Sequence, residues 1–77
     1  MAKRRVKLAF PSELVTEPVI YNLGQDFRVV TNIRRADLTE ERGWVVLEVD
    51  GSDEDIEQGL AWVVAKGVEV ESMESVV

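Results

Sequence analysis

Two kinds of spacing alternate along the chain, and their order leaves few folds open. Val6, Leu8 and Phe10 recur every second residue, as do Val45, Leu47 and Val49, and then Val68 and Val70. A period of two marks a strand with one buried face. Between them, Val19, Ile20, Leu23 and Phe27 recur at helical spacing. So do Ile56, Leu60, Val63 and Gly67, which fall within about 40° on a helical wheel, with Gly59 and Val64 flanking. One chain of 77 residues has room for one domain and one core. Its radius of gyration is expected at roughly 11–12 Å.

Local chemistry sets the boundaries. Residues 4–10 read as a half-buried strand with Arg5, Lys7 and Ala9 outward, broken by Pro11-Ser12-Glu13. Thr16-Glu17-Pro18 starts a helix with Pro18 in the first turn, where a missing N–H costs nothing. Gly24 weakens that helix by up to ~1 kcal/mol unless close packing requires it. Arg28 to Leu38 is rich in β-branched residues and reads as a second strand, and Thr39-Glu40-Glu41-Arg42-Gly43 is a connection of hairpin length. Trp44 to Asp50 is the third strand, with Trp44, Val46 and Glu48 on the face opposite Val45, Leu47 and Val49. Ser52 is an N-cap with Asp55 at the third helical position, and Asp53, Glu54 and Asp55 complement the positive helix end. Lys66 sits near the negative end and Gly67 closes the helix. Glu69 and Glu71 alternate with Val68 and Val70 in a last strand, and Ser75-Val76-Val77 reads as a frayed tail.

The order strand, helix, strand, strand, helix, strand, joined by right-handed crossovers, predicts an α+β, ferredoxin-like βαββαβ sandwich. Its four-stranded antiparallel sheet has order 4-1-3-2, with two helices on one face. The single domain spans 1-77 with its core at about 4-73. The other sheet face is open and carries Arg5, Lys7, Trp44, Val46, Glu69 and Glu71. Opposite charges on the first and fourth strands face each other there, each pair contributing roughly 0.2–1 kcal/mol. Trp44 and Val46 toward water form a candidate dimer or partner surface; the bland alternative is that side-chain stems or a loop cover Trp44. Trp62 lies about 120° from the centre of its helix's apolar stripe and reads as an edge-of-core residue.

Composition removes whole classes of chemistry. Without Cys or His there is no disulfide, thiol nucleophile, zinc site of Cys/His type, haem ligand or histidine base. Nine basic against fifteen acidic residues give a net charge of −6, which opposes general nucleic-acid binding. Lys3, Arg4, Arg5 and Lys7 lack interleaved aromatics and read as a strand with basic outward residues. Glu40-Glu41 and Asp53-Glu54-Asp55 sit in a loop and at a helix start, where solvation or capping explains them better than acid–base catalysis. The order of Asp50-Gly51-Ser52-Asp53-Glu54-Asp55 departs from an EF-hand loop, and no GxGxxG, Walker A or GxSxG pattern occurs. No catalytic residue, metal ligand or cofactor is expected. No apolar run approaches the ~20 residues that span a bilayer, and no signal-peptide core follows the basic start, so the expected location is cytoplasmic.

Asn32-Ile33-Arg34-Arg35 is the one concentrated polar stretch inside a strand pattern. Asparagine is depleted in strands and asks for a reason. One is a bend or bulge in which its side chain caps backbone. Another is a binding site, in which an amide offers donor and acceptor and an arginine holds a carboxylate. An acylphosphatase also pairs Arg with Asn on this fold, but its arginine lies in a glycine-rich loop after the first strand, where this chain has Pro11-Ser12-Glu13.

Asn32-Ile33-Arg34 after Val29-Val30-Thr31 resembles the NIL domain family, with Arg34 in place of the name-giving leucine. Val6-Lys7-Leu8-Ala9-Phe10, Pro18-Val19-Ile20, Gly43 to Gly51, Ile56…Gly59-Leu60-Ala61-Trp62-Val63 and Gly67 to Glu71 carry the same resemblance over residues 4–73. It implies a domain related to ACT domains. Such domains occur at the C-terminus of the ATPase of bacterial methionine importers, where they dimerise and bind methionine, and fused to iron–sulfur ferredoxin modules. By that resemblance Asn32, Ile33 and Arg34 are the candidate ligand-binding residues, with Asn32 and Arg34 orienting the amino and carboxylate groups of a small, methionine-like amino acid. The expected protein is a non-catalytic, homodimeric regulatory domain, with possible association with a transporter or redox protein. The alternative is a protein–protein adaptor, partnered with or derived from a ferredoxin-type protein, with no small-molecule ligand.

Overall fold

The computed structural model describes residues 2–15, 17–39 and 41–73. Strand β1 (Ala2–Pro11) leads through a short 3-10 turn (Ser12–Leu14) to helix α1 (Val19–Asp26). Strands β2 (Val30–Leu38) and β3 (Arg42–Gly51) follow, then helix α2 (Asp53–Lys66) and strand β4 (Glu69–Ser72). The sheet order is β2-β3-β1-β4, and every pairing is antiparallel, as the element order predicts. The radius of gyration is 11.7 Å, and the thinnest dimension of 17 Å is that of one sheet under one helical layer.

Several boundaries differ from the sequence reading for local reasons. β1 begins at Ala2 because it pairs with β3 along its whole length, from Ala2↔Gly51 to Pro11↔Arg42. Pro18 is the N-cap of α1 rather than a member of its first turn. β2 starts at Val30 because Arg28 takes a left-handed turn, with φ of 56°. Non-glycine residues adopt that conformation at a cost of about 1 kcal/mol or more. At the hairpin, the Thr39 hydroxyl donates to Arg42 O at 2.7 Å and accepts from Arg42 N at 3.2 Å, joining β2 to β3. Thr16, Glu40 and the tail at residues 74–77 lie outside the described residues, and the expected fraying of Ser75-Val76-Val77 lies there too.

The core sits between the sheet and the helices. Val6, Leu8 and Phe10 of β1 and Val45, Leu47 and Val49 of β3 meet Val19 and Leu23 of α1, Ile56 and Val63 of α2, and Val29 and Val68 beside the strands. Gly59 lets the helices close: a Cβ there would lie 2.7 Å from a Leu23 methyl carbon. α2 is capped as its sequence implies, with Asp55 N donating to Ser52 Oγ at 3.0 Å and Gly67 left-handed at φ 106°. Trp62 packs at the rim of the core, its ring 5.5 Å from that of Phe27. No helix among the described residues is long and apolar enough to cross a membrane.

Candidate functional site

The candidate residues lie on an edge. Among the described residues β2 pairs only with β3, which leaves it at the edge of the sheet. Asn32, Ile33 and Arg34 are all exposed. The β2–β3 register slips between Ile33, opposite Leu47, and Arg35, opposite Val46, so Arg34 is the extra residue of a bulge. Of the two readings of the polar stretch, the bulge is therefore present, centred on Arg34 rather than Asn32. Bulges re-aim side chains, which is why they recur at functional sites.

Asn32 stands directly opposite Glu48, and Glu48 stands opposite Arg5. Arg5 donates to Glu48 Oε2 at 2.5 Å, and the Arg34 guanidinium lies 4.0 Å from Glu48 Oε1. The Glu48 side chain is only 13% exposed. Its carboxyl is held below the usual glutamate value by the hydrogen bond from Arg5; partial desolvation opposes this, and the charges of Arg34, Arg5 and Lys3 reinforce it. The bulge thus swings Arg34 toward a buried-rim carboxylate that already holds Arg5. Two guanidinium groups and one amide face water around a single anionic anchor.

Glu48 is the member of this cluster that sequence reasoning missed. Its signal was available: an acid in the middle of a central strand, on the same face as Arg5. The assignment of faces itself holds. Arg5, Lys7, Trp44 and Val46 share the open face with Glu69 and Glu71, and Lys7 stands opposite Glu71. Arg5, however, finds its acid on β3 rather than β4.

Trp44 and Val46 are not an exposed apolar patch. Val46 is buried, at 7% exposure, and Trp44 is half-buried with the Lys7 ammonium 5.2 Å from its ring centroid. Lys7 stands opposite Val46 on β1, and its ammonium over the Trp44 ring is a cation–π contact. A trough of about 650 Å³ lies beside them at the hairpin end of the open face, lined by Ala9, Trp44, Asp37, Arg42 and Glu69 among others. Its lining includes none of Asn32, Ile33 and Arg34. The exposed large apolar side chains are instead concentrated on β2: Val30 at 59%, Ile33 at 59% and Leu38 at 55%. That followed from the strand order together with the β-branched residues of β2.

The NIL domain profile matches residues 4–72. The chain belongs to the NIL domain family. Among solved structures, this NIL domain is similar to the C-terminal domain of an ABC transporter ATP-binding protein from Enterococcus faecalis, with TM-score 0.80 and 19% identity over 95% of this chain and 86% of that one. It is also similar to an amidase of the hydantoinase/carbamoylase family from Burkholderia phymatum, with TM-score 0.68 and 16% identity over 95% of this chain and 28% of that one. A de novo designed protein, Ferredog-Diesel, shares the architecture at TM-score 0.59 and 12% identity, over 95% of this chain and 85% of that one. At these identities the likenesses speak for the fold. A comparison with curated protein sequences gives no match.

Proposed function

We propose that this NIL domain is a non-catalytic, cytoplasmic regulatory module that binds a small amino acid, methionine or a relative, as a homodimer. The observation that carries the reading is the Asn32–Arg34–Glu48 cluster on the β2 edge. A zwitterion needs an acceptor for its ammonium and donors for its carboxylate. The Asn32 amide supplies one of each, Arg34 supplies a planar pair of donors, and Glu48 supplies an anion. Ile33 is exposed, but it stands opposite Leu47 on the helix-facing side, across the strand from Asn32 and Glu48.

Membership of the NIL family and the likeness to a domain of a transporter ATP-binding protein support a place in transporter regulation. The openness of the cluster supports the dimer. Asn32, Ile33 and Arg34 face solvent on one strand, and a ligand held there needs walls from elsewhere.

Thermal unfolding with each of the twenty amino acids and homocysteine at millimolar concentration tests the reading. A ligand at 100 times its dissociation constant stabilises by ~2.7 kcal/mol, and the melting temperature rises accordingly. The expected result is a shift with methionine or homocysteine that Asn32→Ala abolishes while leaving the fold intact by circular dichroism. No shift with any amino acid would contradict it and favour a protein-docking adaptor that uses the same edge.

A further inference from the structure

We propose that the trough at the hairpin end of the open sheet face is a second binding site, for a small organic cation that carries a short alkyl chain on an ammonium or guanidinium head. It shares no lining residue with the Asn32–Arg34–Glu48 cluster, so the two sites stand or fall separately.

One row of the sheet builds the site. Asp37 of β2, Trp44 of β3, Ala9 of β1 and Glu69 of β4 stand directly opposite one another across the four strands. Their side chains share the open face. Neighbouring strands lie about 4.8 Å apart, so Trp44 and Glu69 are about 10 Å apart at the backbone, with only the Ala9 methyl between them. A bulky residue at that central position would fill the row. Alanine leaves a hollow, walled by an aromatic ring on one side and a carboxylate on the other. Its volume of about 650 Å³ falls within the ~300–1,000 Å³ of small-molecule sites. Phe10, Pro11 and Gly43 line its hairpin end and supply apolar contact for an alkyl chain.

Charge selects the ligand. Asp37 and Glu69 line the trough, and Glu71 lines an adjoining hollow that shares Lys7, Ala9 and Glu69 with it. Lys7 and Arg42 are the cations of the trough. Three carboxylates against two cations leave one negative charge, which a monovalent cation neutralises. Among the described residues no ion pair or side-chain hydrogen bond takes up Asp37, Glu69 or Glu71, so their oxygens remain for a donor. Lys7 and Arg42 lie on opposite sides of the row, four residues apart in register or about 13 Å along the strands. They are not placed as a pair for one carboxylate.

Lys7 already marks the place of the head group. Its ammonium lies 5.2 Å from the Trp44 ring centroid, where the negative face of the indole attracts a cation. Lys7 also stands directly opposite Glu71. It therefore has an alternative partner across the strands and can vacate the ring for an incoming cation. A ligand head seated there meets the Trp44 ring and the Glu69 carboxylate together, and Asp37 beyond the ring reinforces the attraction. The chain's own cation thus competes with the ligand for one position.

That competition makes the proposal testable. The probes are n-butylammonium, n-butylguanidinium and butyrate, titrated at constant ionic strength into the ¹⁵N-labelled chain. Both cations are expected to give saturable shifts of the Trp44 indole N–H and of the Ala9 and Glu69 amides, and butyrate none; the tighter cation names the head group. Glu69→Gln is expected to weaken binding about two- to fivefold. Lys7→Gln is expected to tighten it about two- to fivefold, because it empties the ring and removes a like charge. Lys3→Gln changes the net charge equally but stands at the far end of β1, opposite Asp50, and is expected to leave the affinity unaltered. The dispersion of each variant's spectrum checks that it folds. Equal tightening by Lys3→Gln and Lys7→Gln would mean diffuse attraction to an acidic chain and would overturn the proposal. So would weaker binding to the Lys7→Gln variant, binding of butyrate in the trough, or no saturable shift with either cation at tens of millimolar. Any of these results leaves the reading at Asn32 and Arg34 to its own test.

Discussion

β2 and β3 are neighbouring strands of nearly equal length, and they have opposite fates. β3 runs through the middle of the sheet, and from Gly43 to Gly51 no residue is fully exposed. β2 is hydrogen-bonded to it along most of its length, yet Thr31 alone of its nine residues escapes full exposure. Their compositions do not explain this, since both are rich in β-branched residues. Position does. β3 has a strand on each side and helices above it, whereas β2 has one neighbour and a bulge. The central strand holds the fold, and the edge strand is left free to recognise something.

Proline scanning is the strongest way to break this contrast. Val46→Pro removes a ladder hydrogen bond at the centre of the sheet and is expected to prevent folding. Thr39 N donates to Arg42 O, so by alternation along the ladder Ala36, opposite Val45, sits at a non-bonded position, and Ala36→Pro is expected to leave the circular dichroism spectrum intact. Side-chain truncation sharpens the same point. Leu47→Ala should cost about 2–5 kcal/mol in denaturant unfolding, while Ile33→Ala in dilute, monomeric protein should stay within about 0.5 kcal/mol. Equal costs at the two positions would mean that the edge is as structural as the centre.

Glu48 belongs to β3 but reaches toward the edge through Arg34. Its carboxyl titrates below the ordinary value of 4.5 in the folded protein, chiefly because Arg5 donates to it. The ionised form is the favoured one, so its stabilisation is present above the unfolded value and is lost as pH falls through the folded one. Glu48→Gln is therefore expected to be less stable than the unaltered chain near neutrality, and to lose less further stability on acidification below about pH 4.5. Parallel acid-unfolding curves would remove Glu48 as the anchor of the cluster. The smallest effect lies just before β2. Arg28→Gly relieves the left-handed turn and should raise stability by up to about 1 kcal/mol.

Periodicity made the centre of the molecule legible. Val45, Leu47 and Val49, the Ser52 cap and the Gly67 stop are local signals, and each marks its element. Strand order followed from crossover handedness and needed no contacts. The open face was assigned correctly, but how far Trp44 and Val46 reach water depends on the placement of neighbouring side chains such as Lys7, and strand alternation carries no such information. Asn32 and Arg34 were visible as an oddity within a strand. Their relation to Glu48 was not, because it depends on a one-residue bulge that shifts register across two strands.

The most direct test of the division between a structural centre and a recognising edge is a methionine titration of the ¹⁵N-labelled chain, followed residue by residue in NMR spectra. The account expects saturable shifts along residues 30–38, strongest around Asn32 and Arg34, with the core-facing amides of β3 little changed. Shifts confined to the trough around Ala9 and Trp44, with β2 unmoved, would contradict it, as would a spectrum indifferent to methionine at millimolar concentration.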